Sequence, residues 1–310
     1  MKVFFSGATG VVGRRAVPVL AKKGHIVTGA ARTREKMKLL ERLGAQPVMV
    51  DLFKPDEVLK AIEGHDAVCN LATSIPSGTR AMLPFAWREN DRIRREASRN
   101  LVEAALKVGA KRYIQESFAL IYPDSGARWI DEQTKVEPAR YVRSVMEAER
   151  QAERFTARGK IGVILRFGLF YGPDSGHTLD MIKFTKKGMA AAFGSPDGYV
   201  SSLSTDDAAT AVVAALSVQA GVYNVVDDEP VTKREYFATL ADALNVPHPR
   251  FPPSFLRYLA GSMGETLARS HRMSNRLFKE KSGWSPRYRS VREGFPALVA
   301  ELRGGASAPV

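Results

Sequence analysis

The 310-residue chain holds a single cysteine, Cys69. One thiol excludes a disulfide framework within the chain and cannot form a cysteine metal site alone, so a reducing compartment is the simplest reading and no metal is expected. Also missing is any apolar run of the ~20 residues that a bilayer crossing requires. The first residues, Met1-Lys2-Val3-Phe4-Phe5, enter a strand-like run at once, without the charged segment, apolar segment and cleavage site of a secretory signal. A cytoplasmic protein is the expectation. Zinc-finger spacing, an RNA-binding aromatic motif and a long basic tail are absent too. The 46 Lys and Arg against 33 Asp and Glu, net +13, therefore read as arginines on solvated helix faces, as in Asp91-Arg92-Ile93-Arg94-Arg95-Glu96. Nucleic acid is not the expected partner; a small-molecule substrate is, and a homodimer is compatible with the chain.

What is present is a sizeable apolar fraction, 45%, enough for one large or two smaller domains. The chain is organised around Phe4-Phe5-Ser6-Gly7-Ala8-Thr9-Gly10-Val11-Val12-Gly13. An apolar run breaks into three glycines and continues as an apolar-periodic segment (Val12, Ala16, Val19, Leu20) ended by Gly24. Strand, tight turn and helix N-terminus in that order suit a pyrophosphate, whose charge the exposed N–H groups and helix dipole can hold.

Further along, His25 to Ala31 reads as a second strand, followed by Arg32, Thr33 and Arg34 instead of a carboxylate. An acid there would bond a ribose 2′-hydroxyl, whereas arginine suits the 2′-phosphate of NADP; the alternative for Arg32 is a surface arginine opening the next helix. NADP is expected over NAD. Gln46 to Val50 forms a third strand closing on Asp51-Leu52, where Asp51 either accepts from an adenine amino group or N-caps the helix after Pro55. The fourth strand, Asp66 to Asn70, runs into the small-residue turn Leu71-Ala72-Thr73 at the carboxyl edge, which leaves room for a cofactor. A long helix is expected from Phe85 to Val108, strand five from Lys111 to Gln115, a helix opened by Tyr141, and strand six from Ile161 to Phe167.

The glycine turn, the Asp51-Leu52 pair and the Tyr141 helix, with Leu165-Arg166-Phe167-Gly168-Leu169-Phe170-Tyr171-Gly172-Pro173, Ser201 to Ala209, Gly221 to Val225 and Ser282-Gly283-Trp284-Ser285-Pro286, resemble the extended short-chain dehydrogenase/reductase superfamily. The similarity is to its NAD(P)-dependent epimerase/dehydratase-like group and covers nearly the whole chain. It implies an α/β fold, a Rossmann-type doubly wound parallel sheet, with a smaller, mostly helical substrate lobe. Residues 1–170 and 200–226 would form the nucleotide domain, and 171–199 and 227–310 the lobe. Phe167, Gly168 and Leu169 would pass the nicotinamide.

The resemblance also implies a Ser or Thr, a Tyr and a Lys as catalytic residues. Their positions here hold Phe118, Tyr141 and Val145. A tyrosine with an ordinary pKa near 10 costs roughly 4 kcal/mol to ionise at pH 7, whereas its proton is already in place for an acid. Tyr141 therefore suits reduction with proton donation better than alcohol oxidation. Ser117 and Glu116, beside the Phe118 position, are the substitutes considered for the missing groups, although Ser117 would need a bulge to change its face. Arg143 and His177 join Phe118 as candidate substrate contacts.

The expected function is an NADP(H)-binding reductase with an incomplete triad, acting on a carbonyl or activated alkene of a small, lipophilic substrate. The alternatives are an epimerase or dehydratase of sugar nucleotides that uses NAD(P) transiently, and a non-catalytic NADP-binding scaffold or redox sensor.

Overall fold

Seven apolar runs form one parallel sheet: β1 (Lys2–Ser6), β2 (Ile26–Ala31), β3 (Gln46–Met49), β4 (Ala67–Asn70), β5 (Arg112–Phe118), β6 (Ile161–Phe167) and β7 (Gly221–Val225). Their spatial order in the computed structural model is β7-β6-β5-β4-β1-β2-β3, so the order reverses between β1 and β4. The structure describes residues 1–76, 80, 83–253, 255, 258 and 261–305. The helices are α1 (Gly13–Lys22), α2 (Arg34–Arg42), α3 (Pro55–Ile62), α4 (Arg88–Arg92), α5 (Ser98–Lys107), α6 (Ser144–Thr156), α7 (Gly176–Lys186), α8 (Thr205–Ala214), α9 (Lys233–Leu244), α10 (Gly261–Ala268), α11 (Arg276–Ser282) and α12 (Val291–Gly305).

Strand side chains alternate between two buried faces. Val3 and Phe5 enter a core built with α1 and α8, while Phe4 enters the opposite one with Val58 of α3, Leu101 of α5 and Phe155 of α6. Each such aromatic, fully removed from water, contributes about 2–3 kcal/mol. A further core joins Met181 of α7, Tyr236 and Leu240 of α9 and Phe295 of α12, around Tyr171. Phe278 and Trp284 pack instead with Tyr223 in the first core, so segment 276–284 lies against the nucleotide sheet.

Local geometry departs from the sequence expectations in ways that matter for the site. Strand β5 runs to Phe118, three residues past Gln115, because β6 stays paired with it through Ser117↔Arg166 and Phe118↔Phe167. The long helix is a rod in pieces: a 3-10 turn (Pro84–Trp87), α4, a π turn (Ile93–Ala97) and α5. Tyr141 sits in a 3-10 turn (Arg140–Val142) ahead of α6. Asp51 does not cap α3, whose N-cap is Lys54; its Oδ1 accepts instead from the Phe53 N–H at 2.9 Å, closing an Asx turn. The apolar stretch 251–267 falls partly outside the described residues. Among the described residues, no helix is long and apolar enough to cross a membrane, and no group of three or more His, Cys, Asp or Glu could hold a metal ion.

Candidate functional site

A cleft of about 230 Å³ opens where the strand order reverses, lined by Gly7, Thr9, Gly10, Ala31, Arg32, Lys36, Asp51, Leu52, Phe53, Leu71, Ala72, Thr73 and Ile93 among others. Its floor depends on two glycines. Gly7 has φ +77°, and a Cβ there would overlap the backbone of Leu71; a Cβ on Gly13 would overlap the Gly7 carbonyl. These contacts draw β1, the turn and α1 together, and the Gly10 N–H closes the turn on the Gly7 carbonyl at 2.9 Å. The N-cap of α1 is Val12, whose side chain makes no capping bond, and no acid stands in the first turn. The Arg14 and Arg15 N–H groups already donate to the carbonyls of Gly10 and Val12 at 3.0 and 3.1 Å, so the amides left for an anion such as a pyrophosphate are those just ahead of them, at Val11, Val12 and Gly13.

Gly7, Thr9, Gly10, Arg32, Asp51, Leu52, Leu71, Ala72 and Thr73 line this cleft as expected from the sequence. Ala8 and Val12 do not; their side chains are core, and Val11 packs against the same core. Gly13 acts through close packing. Arg34 is exposed outside the cleft, and the second cation is Lys36. Thr33 N-caps α2 by accepting from the Lys36 N–H at 3.3 Å, which places Lys36 on the first turn, four residues from Arg32. That i,i+4 spacing was the signal available in the sequence. The Leu71-Ala72-Thr73 turn is held by Asn70, buried and bonded to Ser6, Ser98 and Gln115 and to the Ala72 N–H.

The three triad positions do come together. Phe118 and Tyr141 pack against Val142, Val145 and Ile121 in one small apolar cluster. Where the superfamily has a polar relay, this chain has a hydrophobic contact carrying one phenol, and burial pushes that phenol up to about 12. The Tyr141 ring meets Trp87 edge-on, with centroids 4.6 Å apart.

Ser117 faces the other way, with no bulge to re-aim it. Fully buried, it donates to Glu149 at 2.5 Å, and Glu149 is held by Arg166 through two bonds of 2.8 and 2.7 Å. Arg166 also donates to the Tyr122 hydroxyl (2.9 Å), which donates to Asn224 (2.8 Å). Ser117 is therefore a member of a structural network. Glu116 is on the opposite strand face, mostly buried, 4.0 Å from Arg94, and burial raises its carboxyl above the ordinary range. Arg143 and His177 are exposed and line neither of these two pockets. Phe167 is core, in contact with Phe170.

A second, smaller pocket of about 70 Å³ adjoins Phe118, Gly168 and Leu169, with Ala119, Leu120, Tyr199, Val200, Leu267 and Met273 in its walls. Three basic residues also line it, and all are engaged with backbone. Lys233 Nζ donates to the carbonyls of Phe193, Leu267 and Ala268 at 2.7, 3.0 and 2.8 Å, the last two at the C-terminal end of α10. Arg269 donates to the carbonyls of Tyr122 and Glu137 at 2.8 and 2.6 Å. The third is His271, whose Nε2 lies 3.1 Å from the Tyr122 carbonyl and so carries the proton of a neutral ring. Sequence reasoning missed all three, because each contact bridges elements distant in the chain.

Burial, then the charges of Arg269 and Lys233, push His271 from 6.5 down to about 4. Between those values the unfolded chain binds the extra proton and the folded chain does not, so stability is complete above pH 6.5 and is lost as pH falls through 4. The expected loss from this group between pH 7 and pH 4 is about 3 kcal/mol. Urea unfolding at both pH values should show it as the difference between wild type and His271→Gln, which keeps a donor for the carbonyl; equal pH slopes in the two proteins would contradict it.

The family described as NAD(P)H-binding matches residues 7–218. The 3-diazoavenalumate denitrifying reductase of a Streptomyces species is 31% identical over 310 residues, covering 95% of this chain and 99% of that protein. The 2-alkyl-3-oxoalkanoate reductase of Shewanella oneidensis is 26% identical, covering 86% and 72%. Among solved structures, the human epimerase family protein SDR39U1 with NADPH superposes with a TM-score of 0.80 at 20% identity, covering 97% of this chain and all of that one. The UDP-glucuronic acid 4-epimerase of Bacillus cereus, in complex with UDP-glucuronic acid and NAD, does so at 0.78 and 19%, covering 98% and 99%. At such identities the structural likeness is one of fold. With the glycine cradle, the reversal point and a matched model over most of its length, the chain belongs to the NAD(P)H-binding reductase and epimerase family of the extended short-chain dehydrogenase/reductase superfamily.

Proposed function

We propose that the protein is an NADP(H)-dependent reductase of a small, apolar electrophile, a carbonyl or activated alkene, with Tyr141 as the proton donor. The observation that carries this reading is the replacement of the relay by an apolar cluster around a single, strongly protonated phenol. A group that holds its proton so firmly serves as an acid at pH 7 and not as the base that oxidation of an alcohol demands. When bound, the reduced nicotinamide supplies the hydride. Arg32 and Lys36 would hold a 2′-phosphate at the far end of the cleft, and Phe118 and Leu169 would exclude water beside the reacting carbon.

The small pocket argues against a sugar nucleotide. Its three basic groups are engaged with carbonyls, which leaves the diphosphate of such a substrate without a cation there, while the remaining wall is largely apolar. A second reading has its own support. Phe118 and Val145 leave little machinery for moving protons, and one relative is named a denitrifying reductase of a diazo compound. With an aryl diazonium ion the hydride takes the ring carbon as the C–N bond breaks and dinitrogen departs with its electron pair, so charge balances and no proton need be delivered to that carbon.

The test is a fluorescence titration with NADPH and NADH, followed by a screen of ketones, enones, aryl diazo compounds and sugar nucleotides for NADPH consumption and, separately, for product without net consumption. Net oxidation is expected with one of the first three; product without consumption would favour the epimerase alternative, and tight binding with neither the scaffold. Arg32→Ala and Lys36→Ala should each weaken NADPH about 10- to 100-fold, the worth of a charged hydrogen bond, and leave NADH nearly unchanged. Wild-type affinity for NADH equal to that for NADPH would remove the phosphate role of both.

A further inference from the structure

We propose that Arg94 is a positioning residue for Tyr141, supplying from a neighbouring helix the positive charge that a Tyr-x-x-x-Lys pattern would draw from a lysine at the Val145 position. The inference deepens the reading of Tyr141 as proton donor and rests on it.

Geometry brings the two residues into one region along two elements, the helical rod that carries Trp87 and the strand that carries Phe118. Trp87 and Arg94 are seven residues apart on one rod, two helical turns, which places them on one face. Tyr141 packs edge-on against Trp87 at 4.6 Å between centroids. From the other side, Arg94 Nη2 lies 4.0 Å from Glu116 Oε1, and Phe118, two residues further on the same face of β5, packs in the Tyr141 cluster. Arg94 stands in the π turn, where helix geometry changes for five residues; its neighbour Ile93 lines the nucleotide cleft, while Arg94 is 4% exposed.

Two of the buried arginines contrast. Arg166 is clamped on Glu149 by two bonds under 3 Å, so its charge is neutralised at contact. Arg94 meets its carboxylate only at 4.0 Å, and its field opposes the burial that raises both Tyr141 and Glu116. Donation of the Tyr141 proton to a substrate oxygen leaves a phenolate in a low-dielectric cluster, where a nearby cation has its greatest effect. The other charges around Tyr141 are accounted for. Arg140 and Arg143 beside it in sequence are exposed. On α10, Ser262 accepts from the Tyr141 backbone N–H at 2.8 Å, and Glu265 is paired with Arg269 at 3.4 Å.

The test needs no substrate for its first readout. 3,5-Difluorotyrosine placed at position 141 brings the phenol's titration to a pH at which proteins stay folded, where absorbance and fluorine shifts follow it. Arg94→Met should raise that pKa by at least about one unit and Arg94→Lys by less than half as much, a charge effect of ordinary size for a partly buried pair. With a reducible substrate and ordinary tyrosine, Arg94→Met should lower kcat about 3- to 10-fold at unchanged NADPH affinity, with recovery in Arg94→Lys. Arg94→Gln, closer in shape and polarity, serves if the Met variant does not fold. A phenol that titrates within 0.3 unit of wild type in folded Arg94→Met or Arg94→Gln overturns the proposal at Arg94. A shifted phenol with unchanged kcat overturns it at the donor role of Tyr141, so the two failures are distinguishable.

Discussion

Tyr141→Phe is expected to lower turnover of a ketone or enone about 100- to 10,000-fold, the range of a positioned general acid, while NADPH affinity changes less than about two-fold. The substitution removes one oxygen and leaves the ring against Trp87 and Phe118, so the cluster stays packed. Direction follows from the titration. With the phenol pushed up to about 12, ionising it at pH 7 costs about 7 kcal/mol, nearly twice the figure for an ordinary tyrosine. Oxidation of the alcohol product, which starts from phenolate, should therefore be far slower than reduction at pH 7 and rise about ten-fold per pH unit toward 10. Forward and reverse rates between pH 6 and 10 check this, and equal efficiencies at pH 7 would refute it. The same variant separates the two reductase readings. An aryl diazonium substrate, which takes hydride at carbon and releases dinitrogen, should be reduced by Tyr141→Phe within a few-fold of wild type.

How far the sequence exposes this site depends on whether a contact is local. The glycine cradle is legible because three glycines, a preceding apolar run and a following periodic segment are all within thirteen residues, and the structure packs Gly7 and Gly13 as that pattern demands. Arg32 is legible from its place at the end of a strand. Lys36 is not, although it lies one helical turn away, because the strand end marks Arg34 equally and only the first turn of α2 brings Lys36 to the cleft and leaves Arg34 exposed outside it. The triad positions are legible by motif, and Phe118, Tyr141 and Val145 do gather in space. Their consequence is not, because burial decides what a lone phenol can do. The π turn that carries Arg94 has no sequence mark separating it from an ordinary Arg-rich helix. Nor does strand periodicity show that Ser117 meets Glu149, since their separation of 32 residues is closed only when α6 packs on β5.

That packing leads to the largest expected stability effect. Arg166→Met should destabilise the protein by about 3–5 kcal/mol, because it strips a fully buried Glu149 of its counter-charge and leaves Ser117 as its hydrogen-bond partner. In the native protein the bidentate contact holds Arg166 charged well above its ordinary range despite burial. Without it, Glu149 must take up a proton to stay inside or draw water into the core beneath β5 and β6. Tyr122 loses the 2.9 Å bond from Arg166 at its hydroxyl, while its carbonyl still anchors Arg269 and His271 at the small pocket. Any shift of Tyr122 should thus be felt at the small pocket before the nucleotide cleft, because its carbonyl is the acceptor there. Joint replacement, Glu149→Met with Arg166→Met, removes both charges and should recover most of the loss, since a buried pair replaced by apolar groups of similar volume is often neutral in stability. Urea unfolding of the two single variants and the double variant closes the cycle. A single-variant loss below about 1 kcal/mol, or a double variant no more stable than either single one, would show that Arg166 is not what keeps the Glu149 charge tolerable in the core.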